Sequence, residues 1–255
     1  MPRPTPTLAE QLVARVCVYE PVSLQTVAAA RELSRLSPAD AALALQALLA
    51  LAQGGGAREV LTLDAMGRAI LSAPPHQLSA SHRQEILQAA RDAGLPGVVA
   101  LFDAPAPTLS IDARARLRAD PQIAHLSLGH KKMLARSGNP DLLARLAAEG
   151  DPRVIENVLL NPRLTEALVV RIVARRPIRA DVLRRVFEHR RWSASERVRE
   201  AMAQNPYCEP ELALKILPTL SRPVLRGVAE RRGLHPAVRQ FALALLGPER
   251  DPTQG

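Results

Sequence analysis

Aromatic residues are nearly missing from this 255-residue chain: one Trp, two Tyr and three Phe. So few rings leave little material for a base-stacking platform or a deep ligand cavity, and the core falls to Leu, Ala and Val. Cysteine is equally scarce. Cys17 and Cys208 lie far apart in aliphatic, helical contexts, which fits buried thiols in a reducing compartment better than a disulfide framework. No apolar run approaches 18 residues, and Met1-Pro2-Arg3-Pro4-Thr5-Pro6 leads into an amphipathic segment. Neither membrane crossing nor export is therefore expected, and the chain is expected to be cytoplasmic.

Catalytic signatures are also lacking. His76, His82, His125, His130, His189 and His235 show no metal-ligand spacing with one another or with either Cys. Gly54-Gly55-Gly56 has no Lys-Ser/Thr after it, so it is not a phosphate loop. Neither a Gly-x-Ser-x-Gly elbow nor a kinase-like set occurs. No cofactor, no metal and no enzymatic activity are expected.

The charge balance is uneven. The chain carries 34 basic and 25 acidic residues, net +9. Residues 1–110 hold eight basic against nine acidic groups, whereas residues 111–255 hold 26 against 16. All the excess positive charge belongs to the C-terminal part. Only Lys131, Lys132 and Lys215 of the basic residues are lysine. The bias to Arg fits either a G+C-rich genome or selection for phosphate and carboxylate contacts.

Helix signals begin early. Residues 8–19, 23–36 and 38–53 read as three helices, the third started by Ser37-Pro38 and ended by Gly54-Gly55-Gly56. Arg58 to Leu63 reads as a short β-like run, and Asp64 to Leu71 as a closing helix. Three helices followed by a strand, with Leu61-Thr62 running into Gly67-Arg68-Ala69-Ile70-Leu71, resemble the winged-helix fold. That resemblance covers about residues 8–73. It departs from DNA-binding members at the recognition position, where Pro38 to Ala52 contains no Lys or Arg; a winged helix here would pack against protein. The other reading of the segment is an irregular helical cap on the repeats that follow. Pro74-Pro75 marks a boundary, helices are expected at 79–93 and 97–103, and Ala104-Pro105-Ala106-Pro107 is a stiff connector. The expected organisation is an N-terminal module over 1–75, a helical connector over 76–126 and a repeat domain over 127–255.

The C-terminal half repeats about every 42 residues. Apolar pairs with a third apolar residue one turn later begin at Leu142, Val182 and Val224; a second set begins at Val154, Val198 and Val238; a third begins at Leu168 and Leu212. The second set closes on Asn161-Pro162, Asn205-Pro206 and Gly247-Pro248. Helices are expected at 127–136, 141–149, 152–160, 164–175, 179–190, 194–204, 209–217, 222–231 and 236–246. Asn139, Asn161 and Asn205 fall where a left-handed residue would end a helix. Three short helices per unit resemble armadillo and HEAT-type repeats. The Asn-Pro punctuation, with Asp151-Pro152 through Asn161-Pro162, is similar to the bacterial leucine-rich-repeat-variant proteins. The resemblance implies a mainly α protein whose repeats form an α-solenoid with an extended binding surface. The cysteine cluster that holds an iron–sulfur centre in one such arrangement has no counterpart here.

Aligning the third helix of each unit places Lys131, Arg171 and Lys215 at one register, with Lys132, Arg136, Arg175 and Arg176 beside them. The armadillo resemblance would put this ladder in a concave groove, where positive potential favours an acidic peptide or a polyanion. From Arg163 to Arg199 eleven Arg face four acidic residues. Arg184, Arg185, Arg190 and Arg191 belong to that cluster beside Trp192, which is either a contact residue or a plug between repeats. The expected function is a non-enzymatic adaptor that docks an acidic protein segment in the basic groove. The alternative is sequence-nonspecific nucleic-acid binding by the same groove. A HEAT-like DNA glycosylase remains a distant third, because its aromatic cage is hard to build from six rings.

Overall fold

A hydrogen-bonding residue, often followed by proline, starts most helices of this chain. In the computed structural model, which describes residues 6–72, 77–110 and 120–247, the side chains of Thr7, Ser37, Ser79, Asp120, Ser127, Asn139, Asp151, Thr165 and Ser195 each accept a backbone N–H of the helix that follows. Each cap satisfies a donor that the first turn cannot. The protein is mainly α: sixteen α-helices, one 3-10 turn and no strand among the described residues. Most expected helices appear within a few residues of their expected bounds.

The chain forms two compact units. The first comprises Met1–Pro105, Pro210–Arg232 and Pro236–Gly255; the second comprises Ala106–Glu209 with Gly233–His235. The last helices therefore cluster with the N-terminal ones, and the boundary expected at 126 falls inside the second unit.

The first unit contains α1 (Leu8–Val16), α2 (Val22–Arg35), α3 (Pro38–Gln53), α4 (Ala57–Ser72), α5 (Ala80–Asp92) and α6 (Pro96–Phe102). The strand expected at Arg58–Leu63 is the start of α4 instead. Its Val60, Leu63, Met66 and Ile70 follow helical spacing, and α4 packs against α1, α2 and α3, so burial on many sides imitates the continuous apolar run of a strand. Residues 62–70 are all buried. Thr62, Asp64 and Arg68 bring polar groups into that core. Asp64 and Arg68 form an ion pair one turn apart, and Arg68 Nε donates to Thr26 Oγ1 at 3.2 Å.

Three later helices complete this unit. They are numbered in chain order after the seven of the second unit: α14 (Pro210–Ile216), α15 (Arg222–Glu230) and α16 (Pro236–Leu246), with a 3-10 turn at Leu217–Thr219. Helix α14 packs on α4 at Gly67, where an added Cβ would lie 3.3 Å from Lys215 Cβ. Gly67→Val is expected to lower stability by roughly 1–3 kcal/mol through overpacking. Gly227, exposed within α15 with open space at its Cβ, gives the opposite sign: Gly227→Ala is expected to add about 0.5–1 kcal/mol. Urea unfolding followed by circular dichroism measures both; equal midpoints would refute the close approach at Gly67.

The second unit contains α7 (Pro121–Ala124), α8 (Leu128–Leu134), α9 (Pro140–Glu149), α10 (Pro152–Leu159), α11 (Glu166–Val173), α12 (Ala180–Glu188) and α13 (Glu196–Ala203). Such short helices persist only through packing. From α8 onward they pack on the second helix along: α8, α10 and α12 follow one another in one row, and α9, α11 and α13 in another. The spatial period in this unit is thus two helices, where the sequence pattern suggested three.

Side chains tie each row together at its helix ends. Asn161 Nδ2 donates to Ala135 O (2.8 Å) and Ser137 O (2.7 Å) at the end of α8. Asn205 Nδ2 does the same to Val173 O (2.6 Å) and Arg175 O (2.9 Å) at the end of α11. Their Oδ1 atoms accept the amides of Arg163 and Tyr207. Neither these nor Asn139 is left-handed, since no non-glycine residue has positive φ among the described residues; Asn139 instead caps α9. The 44-residue echo in the sequence is therefore a repeated carbonyl-capturing asparagine, not a repeated backbone turn.

Candidate binding surface

Two of the three cations expected to form a ladder are inside the protein. Lys131, on α8, is 8% exposed and ion-paired with Glu149. Lys215 belongs to the other unit, is 1% exposed, and donates to Glu211 O at 3.2 Å with the Glu211 carboxylate 3.6 Å away. A buried lysine stays charged at low cost only when such partners surround it. Lys131 and Arg171 moreover stand on different rows, because the rows alternate every helix. The three do not form one surface.

Arg171 is exposed and makes no ion pair among the described residues. It lies on a furrow of about 510 Å³ between α11 and α13. The two helices run parallel: Ser195 Oγ, at the start of α13, donates to Glu166 Oε1 (2.5 Å) at the start of α11, and Arg176 Nη2, past the end of α11, donates to Gln204 O (2.9 Å) past the end of α13. Ala167, Val170, Ala174 and Ala201 give the furrow small apolar lining, and Arg171, Arg176 and Arg197 supply cations along it. Glu166 and Glu200 add two carboxylates. Glu166 is already engaged by Ser195 and lies 4.0 Å from Arg197; Glu200 accepts from Gln204 Nε2 at 3.1 Å.

The other candidates are dispersed. Arg175 is exposed close to this furrow in sequence, while Lys132 and Arg136 belong to the α8 region, half-buried and exposed respectively. On α12, Arg184 pairs with Glu209 at 2.8 Å and Arg185 with Glu156 on α10 at 3.2 Å. Much of the arginine cluster is thus spent tying elements of this unit together. Trp192 is 3% exposed and donates its indole N–H to Leu159 O (3.1 Å) at the end of α10. Arg191 covers its ring at 4.3 Å from the centroid, and His189 stacks beside it at 6.3 Å. Trp192 is a plug between helices, with only its arginine lid outside.

Arg197, Glu200 and Gln204 were not singled out in the sequence, although a signal existed. Asn139, Thr165 and Ser195 are successive N-caps of α9, α11 and α13, and aligning the helices on them pairs α11 with α13 directly. Among the described residues no group of three His, Cys, Asp or Glu converges as a metal site would require. No described helix is long and apolar enough to cross a membrane.

Two titrating groups in this unit report on burial. Burial, aided by the Arg191 charge, holds the His189 imidazole below its ordinary value. Burial pushes the Cys208 thiol up to about 12, which leaves almost no thiolate to react near neutrality. A thiol reagent at pH 8 is therefore expected to modify only the half-exposed Cys17 in the folded protein and both cysteines after denaturation. Rapid modification of two thiols in the folded protein would contradict the burial of Cys208.

In comparisons with known proteins, no family model, no curated protein and no solved structure matches this chain.

Proposed function

We propose that the protein is a non-enzymatic helical-repeat scaffold and that the α11–α13 furrow docks an acidic protein segment. The observation that carries this reading is the combination of small apolar lining with three exposed arginines, two of which, Arg171 and Arg176, have no ion pair among the described residues. Small side chains let a peptide backbone approach, and guanidinium groups donate paired N–H bonds to carboxylates. The same furrow suits a nucleic-acid backbone poorly. Glu166 and Glu200 would face a continuous row of phosphates, and no aromatic residue lines the furrow to stack a base.

The test uses a labelled peptide of alternating Glu and Ala, with single-stranded and duplex DNA as competitors, at 50 and 200 mM salt. The peptide is expected to bind saturably, and Arg171→Glu combined with Arg197→Glu is expected to weaken it by about 10–100-fold, or ~1.4–2.8 kcal/mol. Helicity and melting should stay unchanged, since both side chains are exposed. Peptide affinity that survives the double reversal would displace the site. DNA binding that falls steeply with salt, with a slope set by the phosphates neutralised, would replace the peptide reading with the nucleic-acid one.

A further inference from the structure

A second concavity lies wholly in the first unit and is independent of the α11–α13 furrow. It has a volume of about 510 Å³ and lies between α6 and α16. Leu95 and Val99 line it from the α6 side, Leu214 from α14, and Phe241 and Ala244 from one face of α16. Two charged side chains stand at its margin. Arg91, in the last turn of α5, precedes α6; Asp103 is the C-cap of α6. They therefore flank α6 at its two ends, and they are not in the same state. Asp103 Oδ1 accepts the Ala104 amide at 3.0 Å, whereas the Arg91 side chain makes no ion pair or hydrogen bond among the described residues, and the residue is exposed. The furrow presents an apolar trough with one unengaged cation at one end and an anion at the other.

We propose that this furrow binds a small unbranched carboxylate, with its head on Arg91 and its chain along Val99 and Phe241. Three observations select that occupant. The volume lies within the ~300–1,000 Å³ of small-molecule sites. The seven residues of α6 span about 10 Å, which holds an extended chain of about eight carbons with bonds of ~1.5 Å. The charge pattern then fixes direction: Arg91 attracts a carboxylate by paired hydrogen bonds, and Asp103 repels it from the far end.

Isothermal titration of the full chain with hexanoate, heptanoate and octanoate tests this, with octanol and octylamine as head-group controls. Saturable one-to-one binding is expected, with affinity rising about three- to fourfold per methylene. Arg91→Leu, a change at an exposed position, should weaken octanoate at least about tenfold and leave octanol unaffected. Ala244→Phe should fill the trough and remove both. Absence of saturable octanoate binding overturns the proposal. So does octylamine binding as tightly as octanoate, or an Arg91→Leu protein that binds octanoate as the parent does. Sedimentation supplies the remaining outcome: a parental dimer that Ala244→Phe dissociates would assign the furrow to a second copy of the chain and overturn the ligand.

Discussion

Asp64→Ala is expected to destabilise the protein by about 3–5 kcal/mol, because it strands a buried guanidinium without its counter-charge. The Asp64 and Arg68 side chains are both almost fully buried in the middle of α4, the central helix of the first unit. Thr26 Oγ1 takes one Arg68 N–H, but Arg68 Nη2 and Asp64 Oδ1 have no hydrogen-bond partner among the described residues. The pair is thus only partly satisfied, and its two members depend on each other. Replacing both, Asp64→Leu with Arg68→Met, is expected to recover most of the loss, because desolvation of both charges disappears with them. Urea unfolding of the three proteins, followed by circular dichroism, separates the cases. A single variant with parental stability would mean that Arg68 reaches water and that α4 is not central.

The second large effect concerns Trp192. Trp192→Ala removes the only indole of the chain from a site 3% exposed and is expected to cost about 3–5 kcal/mol. Trp192→Phe keeps most of the volume but leaves Leu159 O without its donor, for a loss of about 1–3 kcal/mol. The graded series distinguishes a plug from an exposed contact residue, for which both changes would lie within about 0.5 kcal/mol of the parent. Acid should loosen the same place. The folded imidazole of His189 titrates below its ordinary value, so its contribution is fully present above pH ~6.5 and is lost as pH falls through the lower folded value. Its Nδ1 accepts the Arg191 amide at 3.2 Å, a bond that protonation removes. Trp192 fluorescence during unfolding should therefore show a steeper decline below pH 7 in the parent than in His189→Gln.

Local signals in this sequence were strong and long-range ones weak. Ser37-Pro38, Asp151-Pro152 and Asn139-Pro140 announce helix starts because a cap and a proline act within one turn. Helix α4 was misread because its apolar periodicity was blurred: Leu61, Leu63 and Val60 look like a strand until the surrounding helices account for them. Partner choice between helices was the hardest to see. The roughly 42-residue echo is real at Asn161 and Asn205, yet packing advances two helices at a time, so a residue register taken from the echo mixed the rows. Lys131 could not be recognised as buried, since Glu149 lies on another helix. Lys215 could have been, since Glu211 sits one turn before it. Arg171 stays exposed and without an ion pair among the described residues because its neighbours Ala167, Val170 and Ala174 offer it nothing to pair with.

The asparagine ties of the second unit determine how it can come apart. Each tie fastens the end of one helix to a loop two helices on, through main-chain carbonyls rather than through side-chain partners that substitution could alter. Sequence drift on the outer surface leaves such clamps intact, while a break at Asn161 or Asn205 frees a whole segment at once. Opening of this unit should then occur in discrete blocks, with seams at α8/α10 and α11/α13, so that amide exchange would group by block instead of fading smoothly from one end.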